Sequence, residues 1–378
     1  MCRARSSKQE SSKTNSQRLC RVCVITCYSS PDYVRASTLR KGVEMLYGKT
    51  NTIIVKNTSK GILRYIEVLL RIMLVRIRSR PDVYLLTFRG YEMVLPLRIV
   101  ALGKPFVFDE FINLEEWLLE NAKVRKGSIA HRIVSVVSRL LMTLPDVLIT
   151  DTQSHAEYSR ERNRLKAEGV LPVPVATDED IFYPKKYSAK KRKQELEVFF
   201  YGSKMLPLHG LVYILKAAVI LKDRPIHFTI IGGDTRTEEM IGKYKSRGAR
   251  VSYMRRVGYV ELSKYMDNAD VCLGGPFGDT LQSQFIITGK TYQFMASGKP
   301  CVIGKNIESN NDYFVHKKNC LMVNMADARD LSKVLGWCSS NTKELKLIGQ
   351  DARKTYLENM SVAAVSERLS GVFGRFGY

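Results

Sequence analysis

Short apolar runs alternate with longer segments of helical periodicity along the first half of the chain. The apolar runs have the length and composition of strands buried on both faces, and they lie at residues 21–28, 51–57, 82–88, 105–110 and 146–152. Between them, apolar side chains recur with helical spacing at residues 37–46, 62–78 and 128–142. Strands that alternate with helices predict right-handed β–α–β units and a parallel sheet.

The alternation stops at residues 173–195, which contain prolines and the basic run 190–193, and this composition predicts a linker. It then resumes with six more strand-like runs, at residues 196–202, 226–233, 249–254, 269–275, 299–305 and 319–324. From residue 341 to the end the pattern is helical. We therefore predict an α/β protein of two Rossmann-like α/β/α domains that face each other across a cleft.

Charge and cysteine content restrict the partners and the compartment. The 378 residues carry a formal net charge of +23, which favours anionic partners: phosphate ligands, an acidic membrane surface or nucleic acid. Cysteines such as Cys20, Cys23 and Cys301 lie in or near apolar strands without a complete zinc-ligand pattern, so we expect buried thiols and a reducing compartment. Residues 1–18 lack the apolar core of a signal peptide, and no run approaches the roughly twenty apolar residues of a membrane span.

Ligands of open α/β sheets bind beyond the carboxyl ends of the strands, so the loops there are the candidate sites. Residues 201–210 place small residues, Lys204 and His209 immediately before a helix predicted to start near Gly210, an arrangement suited to a diphosphate. A plain strand-to-helix turn is the alternative interpretation. The Gly-Gly pair at 232–233 is a weak signal, since it matches no nucleotide-binding motif.

The most informative loop covers residues 288–300. We expect Thr288 to cap a short helix, Lys290 to stand beside a turn that presents backbone N–H groups to an anion, and Gln293 to hydrogen-bond a ribose. A glycine at position 298 ends this helix before the next strand.

In order and spacing, several segments resemble the second domain of GT-B glycosyltransferases of family four: residues 201–223, 226–233, 269–280 and 289–304. Residues 107–117, 146–163 and 173–184 are similar to the matching first-domain and linker segments. The resemblance spans roughly residues 20–375 and depends on the whole set of motifs. It implies a basic disordered tail at 1–18, an acceptor domain at 19–175, a linker at 176–195, a nucleotide-sugar domain at 196–360 and a last helix at 361–378 that returns to the first domain.

The resemblance also implies an activity, a hexosyltransferase-type reaction that is retaining and needs no metal or other cofactor. The donor would be a nucleoside diphosphate sugar, and the acceptor a glycan or a polyprenyl-diphosphate-linked molecule, as in the synthesis of cell-envelope polysaccharides. The carried-over donor-binding positions are Gly202, Ser203, Lys204, His209, Gly275, Lys290 and Gln293. The segment 254–257 would lie near the base, and the loop 274–280 would face the donor sugar and phosphate.

The sequence departs from the family pattern at three functional positions. At one of them the phosphate-side lysine of the usual motif is replaced by His209, and Lys204 could substitute for it. The family commonly has two glutamates eight positions apart, and here the matching residues are Phe285 and Gln293. An amide binds a ribose hydroxyl without charge assistance, which makes the contact about half as strong. The alternative function is therefore a catalytically inactive binding protein or partner subunit of the same fold.

Two further residues have candidate roles, and one acidic triplet does not. Asp109 ends a strand and His155 follows one, so both are candidate catalytic residues that would orient the acceptor or donor sugar; His155 could instead serve only its local backbone. The Asp-Glu-Asp triplet at 178–180 lies in the linker without other metal ligands, so we do not interpret it as a metal site.

An apolar helical stretch at residues 63–80 is interrupted by arginines. A basic amphipathic helix is typical of a peripheral contact with an anionic membrane, here the inner face of the membrane of a cytoplasmic protein. A core helix with solvated arginines is the alternative. Specific nucleic-acid binding is disfavoured because the basic residues are spread along the chain without a nucleic-acid-binding motif.

Overall fold

The computed structural model of the protein describes residues 20–120, 123–185, 195–310 and 313–378. The predicted tail at 1–18 and the basic run at 190–193 lie outside these residues. Within the described ranges no helix is long and apolar enough to cross a membrane.

The first sheet has six parallel strands in the order β2-β1-β3-β4-β5-β6. These strands are β1 (Val22–Thr26), β2 (Thr52–Lys56), β3 (Val83–Leu86), β4 (Phe106–Asp109), β5 (Val147–Thr150) and β6 (Val170–Pro172). The helices of this part are α1 (Val34–Tyr47), α2 (Leu63–Arg78), α3 (Tyr91–Val100), α4 (Leu114–Glu120), α5 (Ile129–Met142) and α6 (Gln153–Asn163). The strand order reverses between β1 and β3, which creates a crevice at their carboxyl ends.

The second sheet repeats this plan with the order β12-β11-β10-β7-β8-β9, again fully parallel. Its strands are β7 (Leu196–Gly202), β8 (Ile226–Gly232), β9 (Val251–Met254), β10 (Val271–Leu273), β11 (Cys301–Lys305) and β12 (Leu321–Asn324). The helices are α7 (Leu211–Ile220), α8 (Thr235–Lys245), α9 (Tyr259–Asn268), α10 (Gly289–Ala296), α11 (Ala328–Ser340), α12 (Thr342–Asn359) and α13 (Val362–Gly374). The reversal here falls between β7 and β10. The predicted fold class, two Rossmann-like α/β/α domains, is confirmed.

The last helix, α13, packs against α1 of the first domain. Val365, Leu369 and Phe373 of α13 share one buried cluster with Leu39 of α1 and with the strands of the first sheet. The approach is close at Gly42, where an added Cβ would lie 2.9 Å from Cγ1 of Val365. The chain therefore crosses between the two sheets twice, once in the linker and once before α13.

The cysteines behave as the sequence indicates. All seven cysteines that the structure describes are free and buried. Burial raises the pKa of the Cys20 and Cys272 thiols to about 12, so these thiols stay protonated near neutral pH.

The two sheets meet directly at the start of α6. The hydroxyl of Thr152 donates to the carbonyl oxygen of Phe285 at 2.8 Å, and the hydroxyl of Ser154 donates to Oε2 of Glu308 at 2.7 Å. The ring of Phe285 stacks on Tyr158 with the centroids 4.7 Å apart. These contacts hold the first turns of α6 against the loop that precedes α10 and the segment that follows β11.

Candidate functional site

The carboxyl ends of β7 and β10 carry two loops that are bonded to each other. The backbone N–H groups of Phe277 and Gly278 donate to the carbonyl oxygen of Leu208 at 3.2 and 2.9 Å. Gly210 has φ +63°, and a Cβ there would lie 2.4 Å from the carbonyl carbon of Phe277. Only glycine fits at this position. The absence of a side chain lets the two loops pack closely where the strand order reverses.

Lys290 is a buried cation without an anionic partner. It lies in the first turn of α10, and its side chain is 6% exposed. Nζ lies 5.3 Å from the centroid of the Phe200 ring, and among the described residues it has no hydrogen-bond acceptor or ion pair. Burial lowers the pKa of Lys290 to about 7. A desolvated ammonium group is costly unless a counter-charge arrives, so the position is suited to an anionic ligand.

His209 faces the same place from the other loop. Nδ1 of His209 is buried and has no hydrogen-bond partner among the described residues. Burial, reinforced by the charge of Lys290, lowers the pKa of His209 to about 2, so the imidazole is neutral. A Cβ on Gly202 would lie 3.2 Å from this Nδ1. The structure thus brings together Gly202, His209 and Lys290, three of the predicted donor-binding residues.

The other predicted donor residues lie around this group. Ser203 and Lys204 are exposed at the mouth of the loop, and the backbone carbonyl of Lys204 would meet a Cβ on Gly202 at 3.2 Å. Gly275 is buried with φ +74° in the loop that follows β10. Thr288 occupies the N-cap position of α10 as expected, but its hydroxyl donates to the carbonyl oxygen of Gly274 at 2.6 Å and makes no capping bond to the helix.

Gln293 is held by two tyrosines that the sequence analysis did not consider. The hydroxyl of Tyr201 donates to Oε1 of Gln293, and Nε2 of Gln293 donates to the hydroxyl of Tyr259 at 3.0 Å. The amide is therefore fixed one turn after Lys290, with one Nε2 hydrogen left for a ligand. Tyr201 precedes Gly202 at the end of β7, and only that adjacency could have indicated Tyr201 from the sequence.

Asp109 ends β4 as predicted, but its carboxylate is part of a buried ion pair. Nη2 of Arg35 lies 2.9 Å from Oδ1 of Asp109, and the N–H of Phe88 donates to the same carboxylate at 3.2 Å. Burial raises the pKa of Asp109, while Arg35 acts in the opposite direction. The geometry gives Asp109 a structural partner, and its contact with an acceptor remains a prediction. Arg35 was missed because nothing in the pattern of α1 marks it as buried.

His155 begins α6 and faces the boundary between the two sheets. Its Nδ1 lies 2.7 Å from Oδ1 of Asp151, and Nε2 has no partner among the described residues. Burial alone would lower the pKa of His155, but the hydrogen bond to Asp151 and the charges of Asp151, Glu110 and Glu116 outweigh it and raise the pKa above its ordinary value.

A small cavity adjoins this histidine, and residues of both domains line it. Its lining residues are Ile112, Glu116, His155, Tyr158, Gln282, Phe285 and Ile286. Among the first-domain residues that line this cavity is therefore a histidine whose protonated form the surrounding carboxylates stabilise. Its role in orienting a sugar remains a prediction.

The triplet at 178–180 joins the linker to three helices, α1, α12 and α13. Lys41 of α1 lies 3.2 Å from Asp178 and 3.1 Å from Asp180. The carboxylate of Glu179 accepts from the hydroxyl of Tyr356 at 2.9 Å and from the N–H of Val362 at 3.0 Å. Across the described ranges, no three His, Cys, Asp or Glu side chains are grouped to hold a metal ion.

Comparison with known proteins finds one family model that matches part of the chain. Residues 195–341 match the family model described as "Glycosyl transferases group 1". Across the curated proteins, no sequence matches the chain.

Several solved structures are similar in fold. HepE of Anabaena, solved with UDP, is 12% identical with a TM-score of 0.67 over 94% of this chain and 100% of its own. Sucrose-phosphate synthase of Thermosynechococcus elongatus is 14% identical with a TM-score of 0.64 over 86% and 83% of the two chains. S. aureus TarM, solved with fondaparinux, α-GlcNAc-glycerol and UDP, is 14% identical with a TM-score of 0.59 over 81% and 59%.

Proposed function

We propose that this chain, which has the GT-B fold and whose second domain matches a glycosyltransferase family model, transfers a hexosyl group from a nucleoside diphosphate sugar to a glycan or polyprenyl-diphosphate-linked acceptor. UDP-sugars are the first donors to test, since HepE and TarM were solved with UDP. A lipid-diphosphate acceptor would suit synthesis of a cell-envelope polysaccharide at the inner face of the membrane.

The observation that carries the proposal is the unpaired ammonium group of Lys290. It lies beside the neutral imidazole of His209, at the carboxyl ends of β7 and β10, where α/β sheets bind nucleotides. A diphosphate seated there would supply the counter-charge that Lys290 lacks. Binding the anion would raise the pKa of Lys290 and keep the ammonium protonated.

The proposed chemistry is a retaining transfer. The bond from the sugar anomeric carbon to the diphosphate oxygen breaks, and the acceptor oxygen bonds to the same face of that carbon. The leaving diphosphate takes the acceptor proton, so no side chain need act as nucleophile or strong base. Lys290 and backbone N–H groups would stabilise the charge that develops on the diphosphate, and His155 would orient a sugar. These groups let us propose that the reaction needs no metal or other cofactor.

A second function, binding without catalysis, has a specific observation in its favour. Phe285 occupies a position where the resembled family commonly has a glutamate, and its ring and carbonyl are occupied by Tyr158, Thr152 and Ser154. A protein that had lost catalysis would retain the fold and these contacts between the sheets.

The test is a set of binding and turnover measurements on the full chain. Calorimetry with UDP and other nucleoside diphosphates identifies the base, and hydrolysis of the matching nucleotide sugars, with and without lipid-diphosphate acceptors, measures catalysis. Lys290→Ala should abolish nucleotide binding, while Lys343→Ala, at an exposed lysine of α12, should leave it unchanged. Binding without turnover would support the non-catalytic function, and absence of binding to any nucleotide would contradict both.

A further inference from the structure

Three helices of the first domain carry apolar stripes that point away from the core. Half of the 30 exposed large apolar side chains that the structure describes lie on or next to α2, α3 and α5. They recur every three or four residues along each helix, as one face of a helix requires. We call the set the apolar platform; its members are Ile62, Leu63, Ile66, Leu70, Met73, Leu74, Ile77, Leu95, Ile99, Leu102, Ile129, Ile133, Val136, Val137 and Leu140.

The three stripes lie side by side. The inner faces of α2, α3 and α5 contribute Val68, Leu97 and Met142 to one core cluster on the same face of the first sheet. Helix α2 is tied to the α3 segment by the hydrogen bond from Arg76 to the carbonyl oxygen of Leu102, at 3.1 Å. Helices α3 and α5 are in contact as well. The outward stripes therefore form one continuous apolar surface, larger than the scattered apolar residues of an ordinary protein surface.

Basic side chains surround this surface. Residues 61–80, 91–104 and 123–142 contain twelve lysines and arginines but only two acidic residues. Arg78, Arg80, Arg125 and Arg132 are exposed, and their guanidinium groups have no hydrogen-bond or ion-pair partner within the described residues. Exposed apolar side chains among unpaired arginines match the apolar interior and the anionic headgroups of a lipid surface at the same time.

We propose that the apolar platform docks on the surface of an anionic lipid bilayer. Its apolar side chains would enter the boundary between headgroups and acyl chains, and the arginines would contact lipid phosphates. Each cation close to such a surface contributes about 1 kcal/mol. The inference does not depend on the proposed sugar transfer, because lipid binding can be measured without donor or acceptor.

The platform reaches the edge of the sheet where the cleft lies. In a parallel sheet each connecting helix starts near the carboxyl ends of the strands, so the first turns of α2 and α5 lie at the same edge as the loops after β1 and β4. Ile62, Leu63 and Ile129 occupy these first turns or the residues beside them. Docking through the platform would bring this edge of the first domain to the membrane.

The experiment is co-sedimentation of the full chain with vesicles of phosphatidylcholine alone and of phosphatidylcholine with phosphatidylglycerol. Because a chain of net charge +23 binds acidic vesicles through charge alone, the decisive variants keep the charge constant. They are the double variants Ile66→Ser/Leu70→Ser on α2 and Ile133→Ser/Val137→Ser on α5. The matched control is Ile220→Ser/Leu347→Ser, whose side chains are 52% and 61% exposed on the second domain.

We expect each platform variant to bind phosphatidylglycerol vesicles at least about tenfold more weakly than the wild type, because buried methylene groups are lost, while the control binds as before. Arg78→Gln/Arg132→Gln should lose most of the preference for acidic vesicles. Thermal unfolding measures whether each variant is folded. We expect all of them to fold, because all the altered side chains are exposed. Equal binding by platform and control variants, or no binding to acidic vesicles at low salt, would overturn the proposal. So would a dimer in solution that the platform variants dissociate without any vesicle binding by the wild type.

Discussion

The guanidinium group of Arg35 and the carboxylate of Asp109 form an ion pair from which solvent is fully excluded. Arg35 also donates to the carbonyl oxygens of Val173, Pro174 and Thr150, at 2.6, 2.8 and 3.2 Å. One side chain of α1 therefore binds the ends of β4 and β5 and the segment after β6. The pair therefore holds together the strand ends on which the candidate site of the first domain lies.

Removing one member of this pair should destabilise the fold. We expect Asp109→Ala to lower the free energy of unfolding by about 3–5 kcal/mol, because it leaves the charge of Arg35 buried and unpaired. Urea denaturation measures the change. Asp32→Ala, at an exposed carboxylate that pairs with Lys56, should cost about 0–1 kcal/mol. A loss no larger than that of Asp32→Ala would contradict the prediction, and a rise in the KM for the acceptor would show that Asp109 also contacts the acceptor.

Lys290→Met should stabilise the ligand-free protein. Burial lowers the pKa of Lys290 from 10.5 to about 7, so the unfolded chain binds more protons between pH 7 and pH 10.5. The contribution of Lys290 to stability therefore rises with pH across that window and is least favourable at pH 7 and below. We expect the variant to gain about 2 kcal/mol at pH 7 and less at pH 9.5, by denaturant unfolding. Lys343→Met is the control, and a loss of stability at pH 7 would contradict the prediction.

Variants of Lys290 and Gln293 should distinguish binding of the diphosphate from binding of the ribose. If Lys290 binds the diphosphate, Lys290→Met should abolish the thermal shifts given by both inorganic pyrophosphate and UDP. If Gln293 binds the ribose, Gln293→Ala should weaken UDP binding about tenfold, the effect of one hydrogen bond, and leave the pyrophosphate shift unchanged. Equal losses with both ligands in Gln293→Ala would mean that Gln293 only positions Tyr201 and Tyr259.

The stability that His155 contributes should depend on pH. Burial opposes its charge, but Asp151, Glu110 and Glu116 raise its pKa above the ordinary 6.5. The contribution is therefore fully present below pH 6.5 and is lost as the pH rises through the folded-state pKa.

We expect His155→Gln to cost more stability at pH 5.5 than at pH 8.5, because only the protonated imidazole gains from Asp151 and the nearby carboxylates. The imidazole signal of His155, followed by NMR, should titrate at lower pH in Asp151→Asn. An unchanged titration in that variant would show that Asp151 does not hold the proton. His227→Gln, a change at a histidine paired with Glu197 in the second domain, controls for general effects of losing an imidazole.

The sequence predicted the architecture because the strands are mostly apolar and alternate with longer helical segments. It missed β6, which has only three residues, and the helices α3, α4 and α6; the apolar pattern of α3 is interrupted by Pro96. These elements are defined by their neighbours in the fold more than by their own composition.

Side-chain partners were less predictable than the backbone. Asp109 and Arg35 are 74 positions apart, and no local pattern connects them. Periodicity shows that α5 has an apolar face, but it does not show that this face points outward. The grouping of Gly202, His209 and Lys290 followed from a resemblance in motif order, whereas the hydrogen bonds of Gln293 to two tyrosines depend on the packing of three separate elements.

The packing of α13 on α1 has a consequence for how the protein forms on the ribosome. The first sheet is translated early, but one wall of its core consists of Val365, Leu369 and Phe373 from the end of the chain. Until these residues leave the exit tunnel, Leu39 and its neighbours lack their cover, so the first domain cannot reach its final state ahead of the second. Folding of the first domain therefore depends on completion of the second. A nascent chain that has not yet reached Val362 would expose part of the first core and would need protection by chaperones.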